Sequence, residues 1–219
     1  MAHLSAIPSI LLSEPPALDL VNTRFHVPAG WVDLLEHSEQ RTEWLTAEAG
    51  RLGISATKAG ARSDAVAAAI KAVREHVAAA LEPARHGKRP PTRALSGLNE
   101  ALRAAPAVPQ ACWDGSAVVA TTDRAGSLAT RLAAGFAEAA VELFADPAIR
   151  NVRRCAAPDC VIAFLPRNAN RRWCAPNICG NRERVARYYL RHKPAHQDAP
   201  YGTRSGAPGA DGREGSGRH

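Results

Sequence analysis

The chain has 219 residues, 46% hydrophobic but only 5% aromatic, enough for one medium domain and a small appended module with an aliphatic core. No apolar run approaches the ~18 residues a membrane helix needs; the stretch Ile7 to Leu12 is short, broken by Ser9 and preceded by no Lys or Arg. Membrane-spanning, collagen-like and wholly disordered classes are therefore excluded, and a soluble, cytoplasmic protein is expected.

Charge is uneven. The 28 basic and 21 acidic residues give +7 overall. Residues 1–149 hold 14 Lys/Arg against 16 Asp/Glu, whereas residues 150–193 hold 11 against 2. Such a concentration suits a polyanion, nucleic acid being the commonest, with a merely solubilising face as the alternative.

In chain order, residues 1–14 read as a loosely held lead-in ending at Pro15 and Pro16. The apolar patch from Ala17 to Thr23 fits a short helix or a strand. Residues 33–49 look helical, anchored by Leu34, Leu35, Trp44 and Leu45 with Asp33 as N-cap. The clearest helix spans 63–82, where Val66, Ile70, Val73, Val77 and Leu81 recur at helical spacing. Another follows over 92–104, with Leu95, Leu98 and Leu102 on one face. Residues 111–122 switch to a β-hairpin around Asp114-Gly115. Residues 125–145 return to helix. A boundary near Arg150 is expected, then a last helix over 182–192. Residues 194–219 contain six Gly and three Pro but no Leu, Ile, Val or Phe, and are expected to be disordered.

Four of the five cysteines, Cys155, Cys160, Cys174 and Cys179, fall in 25 residues as C-x4-C-x13-C-x4-C. In a reducing compartment two close pairs read as a metal site rather than as disulfides. Zn²⁺ takes four thiolates in a tetrahedron, and four protein ligands leave no open catalytic position. An iron–sulfur cluster or free thiols are the alternatives. The 13-residue spacer has room for a short hairpin. Gly180 allows a sharp turn, and Asn181 can cap the helix that follows, with Val185 and Tyr189 facing the module's core. Metal binding would supply folding free energy that so small a core lacks. Cys112, beside Trp113 in an expected strand, reads as a buried, inert thiol.

These residues carry a resemblance. Cys155 to Cys179, with Arg171-Arg172-Trp173-Cys174 and Cys179-Gly180-Asn181-Arg182, resembles the CGNR zinc finger family. Leu18-Asp19-Leu20-Val21-Asn22-Thr23, Asp33-Leu34-Leu35 and Trp44-Leu45 resemble the ABATE domain of stress-induced bacterial transcription regulators. The resemblance spans about residues 15–193, though between 50 and 150 it lies only in general character. It implies zinc binding and DNA binding.

Arg184, Arg187 and Arg191 lie at i, i+3 and i+7, on one face of the last helix, and Arg167, Arg171 and Arg172 occupy the loop before the second cysteine pair. All six are candidates for nucleic-acid contact. Arg182 is a seventh, or else donates to a cysteine sulfur and holds the site. Asp19, Asn22 and Thr23 set three polar groups in an apolar patch, where they either bind a small effector or satisfy buried backbone groups at a turn. The eight His form no ligand or triad spacing, and no phosphate loop or nucleophile elbow is present.

The expected architecture is mainly α with a small β-hairpin: a multihelical domain over 15–149, a treble-clef-like four-cysteine zinc finger over 150–193, and the tail. The expected function is a non-enzymatic, DNA-binding transcription regulator whose helical domain senses a ligand or forms a homodimer. The alternatives are an RNA- or ribosome-associated zinc protein, an enzyme or small-molecule binder using Asp19, and a thiol redox sensor.

Overall fold

A computed structural model describes residues 11–27 and 30–192, so the tail and most of the lead-in lie outside the described residues. Helix α1 (Pro16–Asn22) starts on a proline, whose fixed φ suits the first helical position. It buries Ala17, Leu18 and Leu20, and so settles the ambiguous 17–23 segment as helix. An antiparallel hairpin of β1 (Arg24–Val27) and β2 (Gly30–Asp33) follows, where sequence periodicity suggested none. Asp33 caps a 3₁₀ turn, Leu34–Glu36, rather than a long helix; its carboxylate accepts the Leu35 N–H at 3.0 Å. Helix α2 (Ser38–Arg51) begins beyond that turn.

Three further helices pack on one another to build the body: α4 (Asp64–Arg85), entered through the short α3 (Lys58–Ala61), α5 (Thr92–Ala104) and α6 (Leu128–Ala145), with α1 lying against α4 and α6. The apolar spacing read in α4 is the face it buries: Val66, Ile70, Val73, Val77 and Leu81. Trp44 of α2 stacks on Phe136 of α6, with ring centroids 5.6 Å apart, and both are buried. Burial of each such ring contributes about 2–3 kcal/mol. α6 packs closely on the 52–54 turn at Gly135, where a Cβ would lie 2.8 Å from the Ile54 Cδ1.

The lead-in is not loose where it is described. Leu11 is buried and its carbonyl accepts the Trp44 indole N–H at 2.8 Å, while Glu14 is 4% exposed. The hairpin of β3 (Val108–Trp113) and β4 (Val118–Asp123) forms as expected, but among the described residues nothing covers β3 on either side. Cys112 is consequently exposed, not buried, with its sulfur 3.2 Å from the Thr121 hydroxyl.

Candidate metal centre and nucleic-acid interface

Beyond a 3₁₀ turn (Pro147–Asn151), β5 (Arg153–Arg154) pairs with β6 (Ala163–Phe164). The two strands flank Cys155 and Cys160, so the short hairpin wraps the first cysteine pair instead of lying wholly in the spacer. The second pair ends in a single π turn (Pro176–Gly180) that carries Cys179 and runs straight into α7 (Asn181–His192). Its wide turn closes through the Gly180 N–H on the Ala175 carbonyl at 3.1 Å. Gly180 is not in the left-handed region; a Cβ there would stand 3.1 Å from the Trp173 ring, a tight contact. Asn181 is itself helical rather than an N-cap, and its side chain accepts from Arg184 at 3.3 Å.

The four thiols converge. All Sγ atoms lie within 4.8 Å of one another, three of the four residues are buried, and Cys160 is half-buried. Cys160 and Cys174 are 3.8 Å apart, which matches the edge of a sulfur tetrahedron built on Zn–S bonds of about 2.3 Å. Donors support the sulfur charge: the Ala157 and Cys174 N–H groups at Cys155, the latter at 3.3 Å, the Ile162 N–H at Cys160, and Arg182 Nη2 at 3.7 Å from Cys179. Without metal the thiols cannot all ionise. Hydrogen bonds from Cys160 and Cys174 draw Cys155 well below the usual thiol range, and bonding to Cys155 pushes Cys160 above it. A divalent cation removes that conflict by binding all four as thiolates. The donor set fits one structural Zn²⁺ ligated by Cys155, Cys160, Cys174 and Cys179.

The basic residues divide into two groups. Arg171 is held inside: its guanidinium stacks on Phe164 at 4.2 Å and donates to Glu14 at 2.7 Å and to the Trp173 and Cys174 carbonyls. It ties the finger to the lead-in through Nε and Nη2. Arg167 and Arg172 remain exposed, Arg172 near the Trp173 ring at 5.3 Å. On α7, among the described residues, Arg187 and Arg191 donate only to carbonyls of their own helix, and Arg184 only to Asn181. The expectation that Val185 and Tyr189 face the core fails. They are 45% and 68% exposed, and α7 buries no residue, because it leaves the π turn pointing away from the body.

Asp19, Asn22 and Thr23 are buried and occupied. Asp19 receives Arg51 at 2.7 Å and the Glu14 N–H. Asn22 bonds Ala163 of the finger, and Thr23 donates to the Leu20 carbonyl at 2.7 Å and receives Arg74. The effector reading of these three gives way to a structural one. Burial pushes Asp19 up to about 7, against the opposing pull of Arg51, and does the same to Glu48 beside it. Glu14 went unnoticed in the sequence. Its carboxylate accepts the Leu165 N–H at 2.9 Å as well as Arg171, and its carbonyl accepts Arg51. No local pattern marks it, since these partners lie 37 to 157 residues away.

Fold and site together define a multihelical domain docked onto a treble-clef-type zinc finger with four cysteine ligands. The family model described as "Putative stress-induced transcription regulator" (ABATE) matches residues 14–147, and that of the CGNR zinc finger matches residues 151–192. The chain belongs to the ABATE family and carries a CGNR zinc finger. No curated protein was found to match it at a significant level.

Proposed function

We propose that the protein is a cytoplasmic, non-enzymatic transcription regulator that grips DNA with α7 and with Arg167 and Arg172 of the neighbouring loop. The observation that carries this reading is α7 itself. It is a basic helix with no buried residue, and Arg184, Arg187 and Arg191 project in one row with no carboxylate partner among the described residues. A helix of this width fits the major groove, where arginines meet phosphates and guanine edges.

Ligand sensing has a natural place in the helical domain. A cavity of about 620 Å³ lies between the 51–55 turn, the base of the β3–β4 hairpin and α6. Arg131 lines it with a buried Nε that lacks a partner among the described residues. Tyr188 and Tyr189, 54% and 68% exposed, favour a second reading in which α7 stacks on unpaired RNA bases.

Fluorescence anisotropy of zinc-loaded protein with random-sequence duplex, at two salt concentrations, tests the proposal. Tight binding that weakens steeply with salt is expected. No binding at low salt overturns it, and a marked preference for single-stranded RNA favours the second reading.

A further inference from the structure

The basic surface does not stop at the finger. Arg153 and Arg154 of β5 project to opposite sides of their two-stranded ribbon, as neighbours on a strand must. Arg153 reaches the basic loop and donates to the Ala169 carbonyl at 2.8 Å. Arg154 reaches the other way, to the Val161 carbonyl at 3.0 Å and to Glu82 near the end of α4 at 3.6 Å. Arg85, one turn further along α4, holds Glu82 and extends to the Val152 carbonyl. The turn after α4 then presents Lys88 and Arg89 to solvent, with the Arg150 guanidinium 3.5 Å from where a Cβ of Gly87 would sit.

A continuous basic strip thus crosses from the α4–α5 turn of the helical domain, over β5, to the finger loop. Glu82 is the carboxylate that the ion pairs place on it, and Arg85, Arg154 and His86 surround that group. Both ends of the strip are held in fixed relation. Asn22 and Glu14 bond the finger backbone, and Phe164 is buried in the core shared by the two parts.

We propose that this strip is a second contact surface for duplex DNA, with Lys88, Arg89 and Arg150 of the helical side touching the phosphate backbone beside the stretch held by the finger. This rests on the DNA-binding reading above. Lys and Arg with no aromatic among them suit phosphates rather than bases. Single-stranded RNA readers need stacking rings, and Lys88, Arg89 and Arg150 supply none. The helical domain would then fix the protein's register on the duplex while α7 enters the groove.

The test uses the full chain loaded with zinc. One variant is Lys88→Ala/Arg89→Ala/Arg150→Ala. The control is Lys58→Ala/Arg62→Ala/Arg103→Ala, which removes the same charge. Lys58 and Arg62 lie beyond the other end of α4, a helix of 22 residues and so about 33 Å long. All six residues are exposed. Retained zinc and an unchanged melting temperature establish that each variant folds. In anisotropy titrations with duplex DNA over a salt series, the strip variant is expected to lower the slope of log affinity against log salt by about 2.7, or ~0.9 per lost phosphate contact. The control should keep the native slope. Equal slopes in strip variant, control and native protein overturn the strip and leave the finger reading intact. Absence of duplex binding by the native protein overturns the finger reading itself. A strip effect seen with hairpin RNA and not with DNA overturns the choice of partner.

Discussion

The side-chain amide of Asn22 holds the backbone of Ala163 on both sides. Nδ2 donates to its carbonyl at 2.8 Å and Oδ1 accepts its N–H at 2.9 Å, across 141 residues of sequence. The amide serves as a short stretch of neighbouring strand for β6. Both partners are buried, so neither bond has water as a substitute. Asn22→Ala should destabilise the zinc-loaded protein by about 2 kcal/mol, from two buried bonds of roughly 1 kcal/mol each. Asn22→Asp should cost at least as much, because a carboxylate cannot donate to the Ala163 carbonyl. Urea unfolding together with amide exchange at Ala163 checks this; native protection at Ala163 in the alanine variant would contradict it.

The zinc site should account for one metal ion per chain. Chelation should unravel the cysteine turns and α7, because structural zinc binding is worth about 10–16 kcal/mol and α7, with no buried residue, has little else to hold it, while Asn22 and Glu14 keep their bonds to the β6 segment. Cys174→Ser should abolish tight binding. Cys112→Ser, on the exposed hairpin, should leave the count at one. Metal analysis after desalting, with far-UV circular dichroism for α7, reads both.

The Asp19–Glu48 pair makes stability depend on pH in a definite direction. Both carboxylates are buried and share Arg51, and burial raises both to about 7. The folded state therefore binds protons that the unfolded state has released by about pH 5. The stability from these groups is fully present below their ordinary values near 4 and is lost as pH rises through 7. Urea unfolding should show lower stability at pH 8.5 than at pH 6. Arg85 holds Glu82 at about 2, so that group stays ionised across this window and contributes no slope. Glu48→Gln should flatten the dependence by removing one of two charges competing for a single guanidinium. A slope unchanged in that variant would rule the pair out as its source.

Arg171 and Arg187 should separate folding from binding. Arg171→Ala removes the bonds to Glu14 and Cys174 and the stack on Phe164, so it should lower the melting temperature and leave the salt slope of DNA binding unchanged. Arg171→Lys should rescue little, since an ammonium cannot fork between those acceptors or lie flat on a ring. Arg187→Ala should do the reverse, lowering the salt slope by about 1 with the melting temperature unchanged. Loss of salt slope in Arg171→Ala without loss of stability would return that residue to the interface.

Much of the molecule was legible in the sequence because its signals are local. The apolar rhythm of α4 and α6, the Asp114-Gly115 turn and the cysteine spacing each depend on a few neighbouring positions, and the sulfur chemistry dictates the metal. Only the tertiary structure decided what the polar and basic side chains do. Asp19, Asn22 and Thr23 became the seam of the fold, and Arg171 was drawn inward by Glu14, a residue that local pattern left unmarked. Val185 and Tyr189 sit at helical spacing that suggests a buried face, yet they stay in solvent because the π turn aims α7 away from the body. Spacing along a helix fixes which residues share a side. Which side is covered depends on hydrogen bonds and packing between segments more than a hundred residues apart, and no short-range pattern records those.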